Sequence, residues 1–329
     1  MRVLVTGAAG YLGRNLVTAL AERGDTVTAA DLVTELPADT DHVSWRRLDV
    51  LDADAVAAMI CGYDLVFHLA ARITLHRRDE AAWRLNTEGV RIVSRAALSA
   101  GVPRFVHCSS VHSFDTSAPG VLSEQSPRSV ADSTLPLYDR SKFAGEIELQ
   151  RVIDDGLSAV IANPTGVFGP PDAGPRMSRM NGMLRDAALG RIPVDIRGGF
   201  DWVDVRDVTT GLLQAAAHGR VGENYLLGGH KLSIHDAFRM AANVTGRRGS
   251  SFSLPHWTVK GLVPLATAIG RRVDSDVLTV ASLSALRWNP SVDSSRARTE
   301  LGYRARPSEE TIRDLVTHFV ATGRLDRHQ

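Results

Sequence analysis

Val3-Leu4-Val5-Thr6-Gly7-Ala8-Ala9-Gly10-Tyr11-Leu12-Gly13 opens the chain, and its reading decides the fold. The apolar run Val3–Val5 reads as a short strand, and a helical pattern follows the glycines to about Arg23. Glycines let a backbone turn tightly and approach a pyrophosphate. The following helix N-terminus offers free N–H groups and the positive end of its dipole. Three glycines at this spacing are a weak signal alone. Their place between a strand and a helix is the context a dinucleotide loop demands.

Working outward, Thr26–Ala30 reads as a second strand that ends at Asp31. An acidic side chain about twenty residues beyond such a loop can accept hydrogen bonds from both adenosine ribose hydroxyls, and it repels a 2′-phosphate. Leu32 follows it, so NAD is expected in preference to NADP; a turn or cap aspartate is the plainer reading. Val43–Leu48 reads as a third strand closing on Asp49-Val50, where Asp49 suits either adenine recognition or a turn. Leu65-Val66-Phe67-His68-Leu69-Ala70-Ala71 is continuously apolar, as expected of a strand covered on both faces. Its small end at Ala70-Ala71 lets a ribose or phosphate pack close, and His68 reads as an interior histidine. A long helix over about 79–100 carries Asn86, and Arg104–Cys108 forms another strand ending at Ser109-Ser110. This alternation predicts an α/β fold with a doubly wound, Rossmann-type parallel sheet.

The second chemical signal is Tyr138-Asp139-Arg140-Ser141-Lys142. Residues four apart lie on one helix face, about one turn from each other. A free phenol has a pKa near 10, and a nearby ammonium favours its phenolate, so such a pair suits proton transfer. The lysine can also reach a ribose hydroxyl. With five tyrosines and three lysines (Lys142, Lys231 and Lys260) in the chain, a chance pair at this spacing is expected roughly 0.05 times. Ser110, at a strand's C-terminal end, suits either anchoring a substrate oxygen or capping the next turn.

Bulk properties set the bounds. The chain of 329 residues is 44% hydrophobic and 23% charged, ordinary for a globular protein with a sizeable core. A net charge of +1 gives no reason to expect nucleic acid or an anionic membrane as partner. Two cysteines, Cys61 and Cys108, imply no disulfide framework and form no metal-ligand spacing, consistent with a cytoplasmic protein. The first residues read as a strand and not as a signal peptide. The apolar stretch Gly261–Ile269 is too short to span a bilayer.

Gly7-x-x-Gly10-x-x-Gly13, Asp31, Asp49-Val50, His68-Leu69-Ala70-Ala71, Ser109-Ser110 and Tyr138-x-x-x-Lys142 occur in the order seen in extended short-chain dehydrogenases/reductases, which the chain resembles over nearly its whole length. That superfamily includes nucleotide-sugar epimerases and dehydratases, 3β-hydroxysteroid dehydrogenases and dihydroflavonol reductases. Asn163-Pro164-Thr165-Gly166-Val167-Phe168-Gly169-Pro170 resembles its loop beside the nicotinamide, and Phe200–Val208 its late signature. Leu301-Gly302-Tyr303 with Pro307 resembles its C-terminal segment. The resemblance implies Tyr138 as general acid/base, Lys142 as its modulator and a ribose ligand, and Ser110 as anchor of the substrate oxygen. It also implies cofactor contacts from Gly7, Gly10, Tyr11, Leu12, Gly13, Asp31, Asp49, Val50, Leu69, Ala70, Ala71, Ser109, Pro164 and Val167. A homodimer formed through helices near 80–100 and 138–154 is implied as well.

The family's 4,6-dehydratases carry Asp-Glu directly after the catalytic hydroxyl residue, whereas this chain has Val111-His112. Dehydration is therefore not expected. Asn163-Pro164 and Gly198-Gly199-Phe200 resemble the reductase and hydroxysteroid branch more than the sugar enzymes. The expected activity is NAD-dependent interconversion of a secondary alcohol and a ketone. A nucleotide-sugar epimerase is the alternative in the same family, and a catalytically idle NAD-binding protein the alternative outside enzymes.

After about residue 170 the alternation is lost. The expected partition is a nucleotide domain over 1–170 with about 200–230, and a smaller, mostly helical substrate domain over 171–199 and 231–329. The latter includes helices Ser233–Val244, Trp257–Ile269 and Ser308–Ala321. Met177, Met180 and Met183 form a stripe that suits either core or an apolar ligand wall. Arg176, Arg179 and Arg185 suit a diphosphate clamp or a solvated face. His112, Asn163, Met177 and Met180 are the candidate substrate contacts, and Trp257 and Leu262 suit a pocket wall or plain packing.

Overall fold

Apolar strands and amphipathic helices alternate through the first half of the chain. The computed structural model describes residues 1–33, 35–74, 78–117, 120–131, 134–174, 176–255 and 290–325. β1 (Arg2–Thr6) runs through the glycine loop into α1 (Tyr11–Glu22), followed by β2 (Thr26–Asp31), β3 (Val43–Arg47), α2 (Ala53–Met59) and β4 (Leu65–His68). Next come α3 (Glu80–Ser99), β5 (Arg104–Cys108), the short β6 (Val121–Leu122), α4 (Leu137–Asp154) and β7 (Ala159–Pro164). The expected long helix is α3, with Asp79 capping it by accepting from the Ala82 N–H at 3.0 Å.

These strands form a seven-stranded sheet ordered β3-β2-β1-β4-β5-β7 and then β11 (Asn224–Leu227). Every ladder in it is parallel. The order reverses between β1 and β4, the switch point at which ligands bind in doubly wound sheets. Period-two alternation divides the strand side chains between two cores. Val3, Val5, Phe67 and Val106 face one layer with Leu16 and Leu20 of α1, while Leu4, Val66, Phe105 and Ile161 face α3 and α4. All residues of β4 and β7 are buried, which explains their continuous apolar reading. Burial of each large side chain contributes about 1.5–3 kcal/mol.

A second lobe grows from β8 (Gly166–Phe168), which joins β10 (Gly199–Asp204) and β12 (His230–Ser233) in a three-stranded sheet. α5 (Arg179–Ala188), α7 (Ile234–Val244) and α8 (Ser308–Ala321) pack on it around Phe168, Leu184, Trp202, Phe238 and Phe319. β9 (Val194–Ile196) pairs with β13 (Phe252–Leu254), and β14 (Ser291–Val292) with β6. α6 (Val205–His218) returns beneath the large sheet, capped by Asp204, and precedes β11. Helices dominate this lobe, with more short strand than its sequence pattern suggested. The expected helix Trp257–Ile269, with Trp257 and Leu262, lies outside the described residues.

α3 and α4 lie side by side over one face of the sheet, and their closest approach is at Gly145. A Cβ there would stand 2.2 Å from the Asn86 carbonyl oxygen. Gly145→Ala would gain about 1 kcal/mol of helix propensity but force two backbones apart. A small-to-large change in a packed core costs about 1–3 kcal/mol, and an obstruction by backbone is hard to relax. The expected net result is a melting temperature lower by a few degrees, read by circular dichroism. An unchanged or raised value would show that the two helices separate freely.

Candidate active site

At the switch point the glycine loop and the end of β4 nearly touch. Gly7 has φ +72°, and a Cβ on it would lie 2.6 Å from the Ala70 nitrogen. Only glycine permits both the left-handed backbone and that approach. Gly13, in the first turn of α1, packs as tightly on the Gly7 carbonyl. One crevice therefore brings together Gly7, Gly10, Tyr11, Leu12 and Gly13 with Leu69, Ala70 and Ala71. Asp31 ends β2 beside this loop and accepts the Ala9 N–H at 2.9 Å and the Leu32 N–H at 2.8 Å. Its carboxylate thus fixes the loop. Asp49 accepts the Leu51 N–H at 2.9 Å as a turn residue, while Val50 is a core side chain packed beneath α3. The Tyr11 hydroxyl donates to the Gly169 carbonyl at 2.5 Å, tying α1 to the loop after β8. Backbone N–H groups, a left-handed glycine cradle and the Asp31 carboxylate form a set that fits a dinucleotide.

The sheet delivers Ser110 from the end of β5, and α4 presents Tyr138 and Lys142 one turn apart. Ser110 lies near enough to Tyr138 to lower the basicity of its phenolate. The Ser110 hydroxyl accepts the His112 N–H at 3.2 Å, so the capping reading holds. Burial pushes the Tyr138 phenol well above its ordinary value, and Ser110 opposes it. Lys142 is only 2% exposed and donates to the Cys108 carbonyl at 3.0 Å. Burial pulls its ammonium down, opposed by Cys108 and Glu146. Without a cofactor the phenol answers first to burial, while the Lys142 ammonium is held at the strand end. His68, on β4, accepts or donates to Thr6 Oγ1 at 2.8 Å and is pulled to about 3 by burial and the Lys142 charge. It is an interior histidine, as read.

His112 stands edge-on to Tyr138, with ring centroids 5.7 Å apart. Its Nδ1 is 3.3 Å from Asp139 Oδ1, an ion-pair distance without the alignment of a good hydrogen bond. Burial lowers its basicity, but the Asp139 charge outweighs this and the net shift is upward. Its ring packs edge-on to Tyr138 beside the Asp139 carboxylate.

Two candidate positions lie deeper than expected. Asn163 is fully buried, and its amide donates to the Ser110 carbonyl at 3.1 Å, Ser113 Oγ at 3.1 Å and Glu146 Oε1 at 2.8 Å. It joins β5 to β7 and is not a wall of the cleft, which corrects its reading as a substrate contact. The hydroxyl of Ser109 donates to Glu146, so only its backbone remains for a cofactor. Pro164 ends β7, and Val167, in β8, is half-buried.

Sequence reasoning passed over Glu146, Arg128 and Asn224, which complete this polar cluster behind Tyr138. Glu146 lies one turn beyond Lys142, and the four-residue spacing Tyr138, Lys142, Glu146 was a legible signal.

Met177, Met180, Met183 and Phe200 pack on the second lobe's core while staying half-exposed. Met180 Cε and the Phe200 ring lie 3.2 and 3.6 Å from where a Cβ on Gly166 would stand, just past Thr165. Arg176 and Arg179 are exposed, and Arg185 pairs with the adjacent Asp186. Among the described residues no cluster of three or more His, Cys, Asp or Glu side chains is placed to hold a metal ion, and no helix is long and apolar enough to cross a membrane.

Comparison with known proteins agrees with this geometry. Sterol demethylase protein B of Methylococcus capsulatus is 30% identical over 331 residues, covering 99% of this chain and 100% of that protein. A 3β-hydroxysteroid dehydrogenase/Δ5-to-4 isomerase of Mycobacterium tuberculosis is 25% identical, covering 97% and 90%. Among solved structures, MoeE5 in complex with UDP-glucose and NAD superposes with a TM-score of 0.78 at 25% identity, covering 98% of this chain and 99% of that one. The family described as NAD dependent epimerase/dehydratase matches residues 3–228. The chain belongs to the NAD-dependent epimerase/dehydratase family, an extended short-chain dehydrogenase/reductase.

Proposed function

We propose that this protein is an NAD(H)-linked oxidoreductase that interconverts a secondary alcohol and a ketone on an apolar substrate. The observation that carries the reading is Ser110 at the end of β5 near Tyr138 on α4, with buried Lys142 one turn on and its ammonium on the Cys108 carbonyl. A bound nicotinamide supplies the hydride acceptor or donor. The chain's own residues handle the proton. Ser110 holds the substrate oxygen, and Tyr138 gives a proton to it in reduction and takes one from it in oxidation. Lys142 supplies positive charge and N–H donors toward the ribose side of the crevice.

The apolar substrate class rests on the half-exposed Met180 and Phe200 and on relatives whose names refer to sterols and hydroxysteroids. The UDP-glucose in the MoeE5 complex supports the second reading, a nucleotide-sugar epimerase that returns the hydride to its substrate. The preference for NAD rests on Asp31. A homodimer through α3 and α4 and a cytoplasmic setting belong to the same proposal.

The deciding experiment follows nicotinamide absorbance with purified protein, NAD or NADP, and panels of hydroxysteroids, aryl alcohols and nucleotide sugars. Net NADH with an apolar alcohol, reduced about 10²–10⁴-fold by Tyr138→Phe, is the expected result. A sugar nucleotide that changes stereochemistry without net NADH would make the protein an epimerase. Tight NAD binding with neither reaction would favour the idle binder.

Two further outcomes follow from electrostatics. Because Tyr138 titrates above its ordinary value, its phenol stays protonated at neutral pH and is ready to donate. Ketone reduction should therefore be fastest at neutral pH and fall in alkali. Alcohol oxidation, which needs the phenolate, should rise with pH, and pH–rate profiles in both directions check the sign. The Asp31 carboxylate should make kcat/KM for NADP at least about tenfold lower than for NAD, by like-charge repulsion. Asp31→Ala should narrow that gap, and an unchanged ratio would place cofactor choice elsewhere.

A further inference from the structure

Glu146 is a carboxylate only 4% exposed, on the face of α4 that carries Tyr138 and Lys142. Each oxygen accepts two hydrogen bonds. Oε1 takes the Ser109 hydroxyl and the Asn163 amide, the latter at 2.8 Å. Oε2 takes the Arg128 guanidinium and the Asn224 amide, the latter at 2.9 Å. Arg128 in turn lies between two rings, 3.8 Å from the centroid of Phe114 and 4.6 Å from that of Phe143. The donors come from β5, β7, β11 and the segment before α4. One side chain thereby clamps the strand end that carries Ser110, the strand that leads to Pro164 and Val167, and the helix that carries Tyr138.

Stability alone is a poor reason for such a group. Burying two charges costs desolvation that their attraction roughly cancels, and apolar replacements are often neutral or stabilising. The placement is better explained by what it controls. Asn163, held by Glu146, also donates to the Ser110 carbonyl, so the clamp reaches the serine's own backbone. Glu146 also acts on Lys142 through its charge. The other titratable groups that sense this ammonium are Cys108 and His107 on β5 and His68 on β4. Burial keeps both histidines uncharged and pushes the Cys108 thiol up to about 11. Glu146 lies one turn from Lys142 on the same helix, within reach of it as residues four apart are, and its carboxylate is shared with the Arg128 guanidinium.

We propose that Glu146 is the positioning residue of this site, fixing Ser110 against Tyr138 and serving as counter-charge to Lys142. It touches neither substrate nor cofactor. The inference rests on the oxidoreductase reading above, and its first test is independent of turnover. With three lysines in the chain, protein carrying ε-13C-lysine gives few resonances, and Lys142→Arg assigns the relevant one. In Glu146→Gln the Lys142 resonance should titrate at lower pH than in the wild type, since the group that favours its charged form is gone. Glu146→Asp keeps the charge but withdraws it by one methylene. It should leave the titration near the wild-type value while lowering kcat roughly ten- to hundredfold by misplacing Ser110, with little change in KM for NAD.

An unmoved Lys142 titration in folded Glu146→Gln overturns the counter-charge role. An unchanged kcat in Glu146→Asp overturns the positioning role. If Glu146→Gln does not fold, as judged by circular dichroism, Glu146→Asp alone decides. Absence of turnover in the wild type would instead defeat the oxidoreductase reading and leave the titration result standing.

Discussion

The structure turns on an ammonium taken out of water. Lys142 is buried at the end of β5, and a buried cation persists only if its surroundings replace its hydration. The Cys108 carbonyl does part of this directly, at 3.0 Å. Glu146 supplies the opposite charge one turn along the helix, and the nearby histidines stay neutral so that nothing competes. This requirement explains the close α3–α4 packing. Asn86, on α3, donates to Ser141 Oγ at 2.9 Å and accepts from the Arg72 N–H at 2.8 Å, which fixes α4 over the strand ends and holds the segment after β4. Move α4 outward and the ammonium would be charged with no partner. Fold and site share one constraint.

The parts of this arrangement that were legible in the sequence are those in which local geometry dictates residue type. Gly7 must adopt φ +72° within reach of Ala70, and no other residue does so without strain. The strands β4 and β7 must be apolar throughout because both faces are covered. Tyr138 and Lys142 must be one turn apart. Glu146, Arg128, Asn163 and Asn224 were harder to read because their meaning lies in contacts between residues 17 to 78 positions apart. A glutamate in a helix resembles any solvated face, and an arginine before it any surface cation. Asn163 illustrates the cost. Its place in a loop-like stretch suggested a cleft residue, but the strand extends through it and turns its amide inward.

The second lobe shows how residue types can mislead without geometry. Asp195, His235, Ser250 and Ser253 gather where β9, β13 and α7 meet. Ser, His and Asp together suggest nucleophilic catalysis, but that chemistry needs the carboxylate on one ring nitrogen and the serine on the other. Here Asp195 lies 2.8 Å from His235 Nδ1, and both serine hydroxyls approach that same nitrogen, at 3.2 and 3.3 Å. Both hydroxyls also donate to the carboxylate. The cluster satisfies a buried aspartate and pins β13 to β9. It has no activated nucleophile.

The two lobes are joined as firmly as each is built. Asp204, with a fully buried side chain, caps α6 and accepts from Arg206 and from Thr311 Oγ1 of α8 at 2.8 Å. Arg306 reaches Asp207 at 2.8 Å from the same side, and Tyr11 bonds across to Gly169. Separating the lobes would take Thr311 from the buried Asp204 carboxylate and Asp314 from Arg206, and a buried acceptor that loses a partner costs about 1–3 kcal/mol. A hinge is therefore a poor way for this protein to choose among substrates. The half-exposed Met177, Met180, Met183 and Phe200 are held by the same core, since they pack on Phe168, Leu184 and Trp202 and move only with that lobe.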